Sequence, residues 1–211
     1  MMESKAELSL TPQGPEGPFY IPGQPVRSDI REDKNGLPLT IQFNIKDYNK
    51  DGSPVTNAEV HVWHADPMGI YSGYLALYPI EEKGISGEQH VEPTDDSSFL
   101  RGIQTTNSSG IAEFQTVFPG WYGRRTPHIH FKVKVSDKDC YTGEVYFDNS
   151  LADKVYYNVK PYSERETAKK KYNEDDPEFV THDGDMTKVN LDGDPNTALH
   201  GTLDVTISTA T

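Results

Sequence analysis

Hydrophobic and polar residues alternate with a period of two in several short runs along this chain, while helical periodicity is sparse. Ile41, Phe43 and Ile45 alternate with Gln42 and Asn44, the pattern of a strand with one buried face. Val60-His61-Val62-Trp63-His64-Ala65 and Ile111-Ala112-Glu113-Phe114-Gln115-Thr116-Val117 read as strands too, as do residues 128–135, 143–147 and 202–207. Asn49-Lys50-Asp51-Gly52-Ser53-Pro54 and Ser109-Gly110 are turn sequences between them. Short, well-spaced strands of this kind predict an all-β fold, an antiparallel β-sandwich in preference to a barrel, with short helices and long loops.

Two segments have helical character. Residues 150–158 and 163–172 each start at a serine that can cap, Ser150 and Ser163. Residues 173–200 read as a long acidic loop. Its Asp183-Gly184-Asp185 and Asp192-Gly193-Asp194 lack the ligand spacing of an EF-hand and read as solvated turns. At the other end, residues 1–38 form a Pro/Gly-rich N-terminal arm, from Thr11-Pro12-Gln13-Gly14-Pro15 through Pro22-Gly23. Proline at this density forbids a helix and favours extended chain. Phe19, Tyr20 and Ile21 give the arm something to bury, so an ordered arm is expected. With 211 residues, the chain has material for one core, and a single domain over 1–211 is expected.

Charge narrows the partners. Lys and Arg number 20 and Asp and Glu 33, for a net charge of −13. That argues against nucleic acid and against an anionic membrane surface, both of which call for basic patches. The lone Cys140 excludes an intrachain disulfide. No apolar run approaches the roughly 20 residues that span a bilayer. The polar N-terminus, with no signal peptide, points to the cytoplasm, and a secreted mature form is the alternative.

The chemistry concentrates in Phe118-Pro119-Gly120-Trp121-Tyr122-Gly123-Arg124-Arg125-Thr126-Pro127-His128-Ile129-His130. His128 and His130 are spaced i, i+2 at the start of a strand, so both imidazoles face the same way. Such a pair is half of a metal site, since imidazole is the commonest protein ligand. Taken alone, it also fits a polar strand face.

Two further motifs join this stretch and complete a resemblance. Trp63-His64-Ala65 followed by Gly69-Ile70-Tyr71-Ser72, then Pro119-Gly120-Trp121-Tyr122, then Arg125-Thr126-Pro127-His128-Ile129-His130, in this order, resemble the intradiol ring-cleavage dioxygenases, the catechol and protocatechuate enzymes. The arm, Glu16-Gly17-Pro18-Phe19-Tyr20, is similar to theirs as well. The resemblance implies one Fe(III) held by Tyr71, Tyr122, His128 and His130, a catechol-type substrate and O2. Hard phenolate oxygen suits ferric iron, and four protein ligands leave room for substrate. Within the family, Tyr122 would leave the metal and act as a base. The ring would open between its hydroxylated carbons to a cis,cis-muconate-type diacid.

The resemblance also implies that Arg125 is the active-site arginine, stabilising charge on the ring, and that Pro18, Phe19 and Tyr20 line the pocket. Arg124 is a further candidate for substrate binding. Glu144 stands where the family carries a glutamine, a departure that bears on substrate preference and rate, since a carboxylate does not donate as an amide does. The short link between Tyr122 and His128 and the lack of a long helical segment before the core resemble compact, often extracellular members, and predict an open site that tolerates several catechols. Two other classes compete: a metal-free β-sandwich binding module, because fold does not fix function, and a zinc hydrolase using His128 and His130, which the two tyrosines disfavour. An oligomer is left open.

Overall fold

The computed structural model describes residues 8–79, 90–165 and 171–210. Its strands are β1 (Pro38–Asp47), β2 (Ser53–Pro54), β3 (Glu59–Trp63), β4 (Arg101–Thr105), β5 (Ile111–Val117), β6 (His128–Val135), β7 (Lys138–Tyr146), β8 (Leu191–Asp194) and β9 (Ala198–Ile207), with helices α1 (Asn149–Asn158) and α2 (Pro177–Thr181). One sheet runs β5-β1-β9-β8, with β2 paired to the end of β1, and the second runs β4-β3-β6-β7. The all-β sandwich read from the sequence is borne out.

Alternation builds the core between the sheets. On β1, Leu39, Ile41, Phe43 and Ile45 are buried, with less buried residues between them. They pack in one cluster with Val60 and Val62 of β3, Phe114 of β5, Ile129, Phe131 and Val133 of β6 and Leu203 and Val205 of β9. Because side chains alternate across a strand, the inward set on β6 leaves His128, His130 and Lys132 on the opposite face. Register then makes a row across that outer face. Arg101 pairs with Trp63, Trp63 with His130, and His130 with Glu144. This face is covered rather than solvated. The arm crosses it, with Gly14 N donating to Thr142 O and Lys132 Nζ paired with Glu16.

Several expectations are revised. The β1–β9 pair is parallel, with Leu39 opposite Leu199 and Asp47 opposite Ile207, so the sheet is mixed. Helix α1 matches residues 150–158, but its cap is Asp148, whose carboxylate accepts from the backbone N–H of Ser150 and Leu151. For residues 163–172, positions 166–170 lie outside the described residues. The described part holds only a single turn at Tyr162–Glu164, with Ser163 inside it and not capping it. The acidic stretch 173–200 contains α2, β8 and the start of β9. Asp176 caps α2 ahead of Pro177, a proline at the first helical position where its missing N–H costs nothing. Among the described residues, no helix is long and apolar enough to cross a membrane.

Candidate metal centre

Two loops bring tyrosines to the outer face of β6. The first leaves β3 and turns at Asp66, whose carboxylate accepts from Met68 N and Ile70 N and whose carbonyl accepts from Gly69 N. It ends at Tyr71. The second runs from Phe118 to Tyr122 and is braced from behind. Tyr156 Oη donates to Pro119 O at 2.8 Å, Tyr162 Oη donates to Phe118 O at 2.6 Å, and Trp121 packs on Tyr156. The loops meet backbone to backbone through two glycines. A Cβ on Gly120 would overlap the carbonyl oxygens of Asp66 and Pro67. A Cβ on Gly69, which has φ +85°, would run into Trp121 O.

The result is four donor atoms facing one point. Tyr71 Oη lies 3.2 Å from Tyr122 Oη and 3.4 Å from His128 Nε2. His128 Nε2 lies 3.1 Å from Tyr122 Oη and 3.2 Å from His130 Nε2. The three mutual separations of Tyr71, Tyr122 and His128 leave a point about 2 Å from each donor, the length of a metal–nitrogen or metal–oxygen bond, and His130 Nε2 lies next to it beside His128. The residues therefore fit a metal ion, and two phenol oxygens with two imidazoles are a donor set for a hard ion such as Fe(III). All four side chains are buried, Tyr122 the least so at 7 % exposure. The short link to His128 is held from one side by Asn173 and Asp176, which bond Thr126 and Arg125.

Orientation is fixed by the surroundings. His128 Nδ1 is 2.7 Å from Thr126 O. Only an N–H can donate to a carbonyl, so the Nε2 lone pair is turned to the centre. Thr126 is held by Asn173 and Asp176, at 2.8 Å each. The His130 ring stacks on Trp63 at 5.1 Å with 2° between planes. Gly17 of the arm covers it: a Cβ there would lie 2.9 Å from the ring's Cε1, at a φ of +72°. Burial pulls the His130 imidazole down to about 4 and His128 well below its usual value, so both are neutral and able to ligate at pH 7. Burial pushes the Tyr122 phenol up to about 12 and Tyr71 well up. A cation among them reverses that preference, since a coordinated acid loses its proton.

Arg125 and Glu144 are brought to the site together. Arg125 Nη2 donates to both Glu144 oxygens, at 2.8 and 2.7 Å, and Nε donates to both oxygens of Asp176, at 3.1 and 2.9 Å. Tyr146 Oη also donates to Glu144. Burial alone would raise the Glu144 carboxyl, but Arg125 beside it outweighs this and holds it at about 2. His128, His130 and Glu144 have ligand atoms within 4.8 Å of one another. The hydrogen bonds from Arg125 and Tyr146 engage both Glu144 oxygens, however, whereas the two phenols are turned to the centre.

The expected pocket residues divide. Phe19 packs on Tyr71 at 4.7 Å between ring centroids and on Tyr122 at 6.5 Å. Pro18 is buried beside it. Tyr20 is a step removed: its ring packs on Trp63, and its hydroxyl is 3.2 Å from His61 Nδ1. Arg124 is exposed. Sequence reasoning missed Asp176 and Arg101. The Asp-Pro start of α2 was the available signal for the first. The second is a buried guanidinium that donates to Phe19 O, Ser72 O and Ser72 Oγ, tying the arm to the Tyr71 loop.

The profile of a family described as Dioxygenase matches residues 15–182. The chain belongs to the intradiol ring-cleavage dioxygenase family. It is similar to the solved intradiol ring-cleavage dioxygenase from Tetranychus urticae, at 33 % identity over 97 % of both chains and a TM-score of 0.87. It is 27 % identical over 183 residues to the catechol 1,2-dioxygenase of Acinetobacter baylyi, covering 75 % of this chain and 52 % of that one. Catechol 1,2-dioxygenase 1 of Acinetobacter lwoffii is 32 % identical over 148 residues, with 58 % and 42 % covered. The chain thus spans about half the length of the curated relatives it matches.

Proposed function

We propose that this chain is a non-haem Fe(III) dioxygenase that opens catechol-type rings between the two hydroxylated carbons. Both atoms of O2 enter the product, a cis,cis-muconate-type diacid. The observation that carries the reading is the convergence of Tyr71, Tyr122, His128 and His130 at 3.1 to 3.4 Å. When bound, ferric iron supplies a Lewis acid that draws electron density from a chelated catechol ring.

The chain supplies the rest. His128 and His130 present Nε2 lone pairs, held by Thr126 O on one ring and by Trp63 stacking on the other. Tyr122 takes up one catechol proton at Oη. It is the least buried of the four ligands and sits on a loop, which suits the ligand that must move. Tyr71 stays, wedged against Phe19 and anchored through Ser72 to Arg101. Phe19 and Pro18 form an apolar wall that suits a flat ring and keeps water out. Arg125 lies beside the centre, but its charge is offset by two carboxylates, so it organises Glu144 and Thr126 more than it supplies net positive potential.

The test is spectroscopic and chemical. Protein loaded with Fe(III) should be wine-red from tyrosinate charge transfer. With catechol and 18O2 it should give a ring-opened diacid carrying both labelled atoms. A colourless protein that is active with zinc would refute the reading.

A further inference from the structure

The guanidinium of Arg125 is more than neutralised. Nε is spent on Asp176 and Nη2 on Glu144, and the two carboxylate side chains are 0 % and 1 % exposed. Tyr146 adds a hydrogen bond but no charge. One cation and two anions leave this buried group net negative. The two carboxylates face different ways. Asp176 is turned to the backbone, accepting from Thr126 N and capping α2. Glu144 is turned to the two histidines, with Oε1 at 3.6 Å from His128 Nε2 and 3.3 Å from His130 Nδ1, the ring nitrogen that does not face the centre.

The cations on the other sides do not compensate it. Lys132, one step along β6, is itself paired with Glu16 and Asp139. Arg101 lies at the far end of the row that passes through Trp63 and His130, and its three hydrogen bonds go to oxygens of Phe19 and Ser72. The side of the centre formed by β7 thus carries a carboxylate whose one cationic partner, Arg125, is shared with Asp176.

We propose that Glu144 sets the charge of the substrate: the site takes catechols whose ring substituents are uncharged and rejects those with a carboxylate on the ring. The inference rests on the reading under Proposed function. A ring held at the donors keeps a carboxylate on it within roughly 10 Å of Glu144, a range over which like charges in a buried site still repel. Like-charge repulsion there costs roughly tenfold to a hundredfold in binding. Catechol itself arrives neutral and is spared this repulsion.

The experiment compares 3,4-dihydroxybenzoate with its methyl ester, which has similar size and no charge, and with 4-methylcatechol. Specificity constants are measured in air. Anaerobic binding is followed by the change in the visible band of the Fe(III) protein. Wild type should favour the ester over the acid by tenfold or more, chiefly through binding. Glu144→Gln should remove most of that preference, and Glu144→Asp should restore it. A wild type that binds acid and ester equally overturns the proposal without any variant, and so does a Glu144→Gln protein that keeps the full preference. Failure to bind or cleave any catechol would instead refute the proposed function. Cleavage of catechols with no charge preference refutes only this inference.

Discussion

The hydroxyls of Tyr71 and Tyr122 stand 3.2 Å apart, although 51 residues separate them in sequence. What holds them together is the abutment of their loops at Gly69 and Gly120, where backbone meets backbone. Gly120→Ala should therefore damage the centre without touching a ligand. Its Cβ would meet backbone carbonyl atoms of Asp66 and Pro67, which have little room to yield, so a loss of about 2 kcal/mol or more is expected. Thermal melting would register it, and the tyrosinate band should weaken in the same protein. A variant with unchanged melting and colour would show that the loops reach each other some other way.

Each phenol can be removed separately. Tyr122→Phe leaves Tyr71 and two imidazoles, so iron content should be largely retained and the colour shifted, while turnover falls by about a hundredfold or more through loss of the proton acceptor. Tyr71→Phe should lower iron content itself, because Tyr71 is the proposed ligand packed under Phe19 and tied through Ser72 to Arg101. Metal analysis beside single-turnover rates separates the two outcomes. Unchanged catechol turnover in Tyr122→Phe would remove that residue from the mechanism.

Acid lability should have a source away from the metal. His64 is fully buried, with Nδ1 2.8 Å from Ala65 O and Nε2 2.7 Å from Thr116 Oγ1. Nδ1–H donates to the carbonyl, and Nε2 accepts from the threonine hydroxyl, which the neutral ring alone can do. Burial holds the imidazole down to about 4, against 6.5 when unfolded. The unfolded chain therefore binds the proton first. Stability is fully present above pH 6.5 and falls as pH drops from 6.5 toward 4, by on the order of 3 kcal/mol from this one group. Denaturant melts of His64→Gln across that range should show a flatter pH dependence than wild type. A parallel dependence would place the lability elsewhere.

Much of this was legible in the chain, for reasons that are local. β1 announces itself by alternation from Leu39 to Ile45, and His128 and His130 by their spacing on a strand. The strands that were missed lack that signal. In β4, Arg101, Gly102 and Ile103 are all buried, so nothing alternates, and in β8 Leu191-Asp192-Gly193-Asp194 spells a turn. The parallel pairing of β1 with β9 joins segments about 160 residues apart and leaves no trace in either. Tyr71 and Tyr122 sit on loops without periodicity, so only the family resemblance singled them out. Asp176 was read as one more acid in an acidic stretch, because its partner, 51 residues away, is a contact that composition does not show.

That contact can be broken by a single substitution. Asp176 is fully buried and holds three things at once: Arg125 Nε, the backbone N–H of Thr126 and the first turn of α2 through Glu178 N. Asp176→Asn keeps the shape and one acceptor oxygen but removes the charge. The cap should survive weakened, since asparagine caps nearly as well as aspartate. The guanidinium keeps Glu144 but loses a charge-assisted pair, worth about 2 kcal/mol where partners are buried. Thr126 is the residue whose carbonyl orients His128, so slackening here should reach the metal. Stability should fall by about 2 kcal/mol, and iron should dissociate faster in a chelator competition assay than from wild type. Loss of stability with an unchanged rate of iron release would confine Asp176 to the fold and cut the line from α2 through Thr126 to His128.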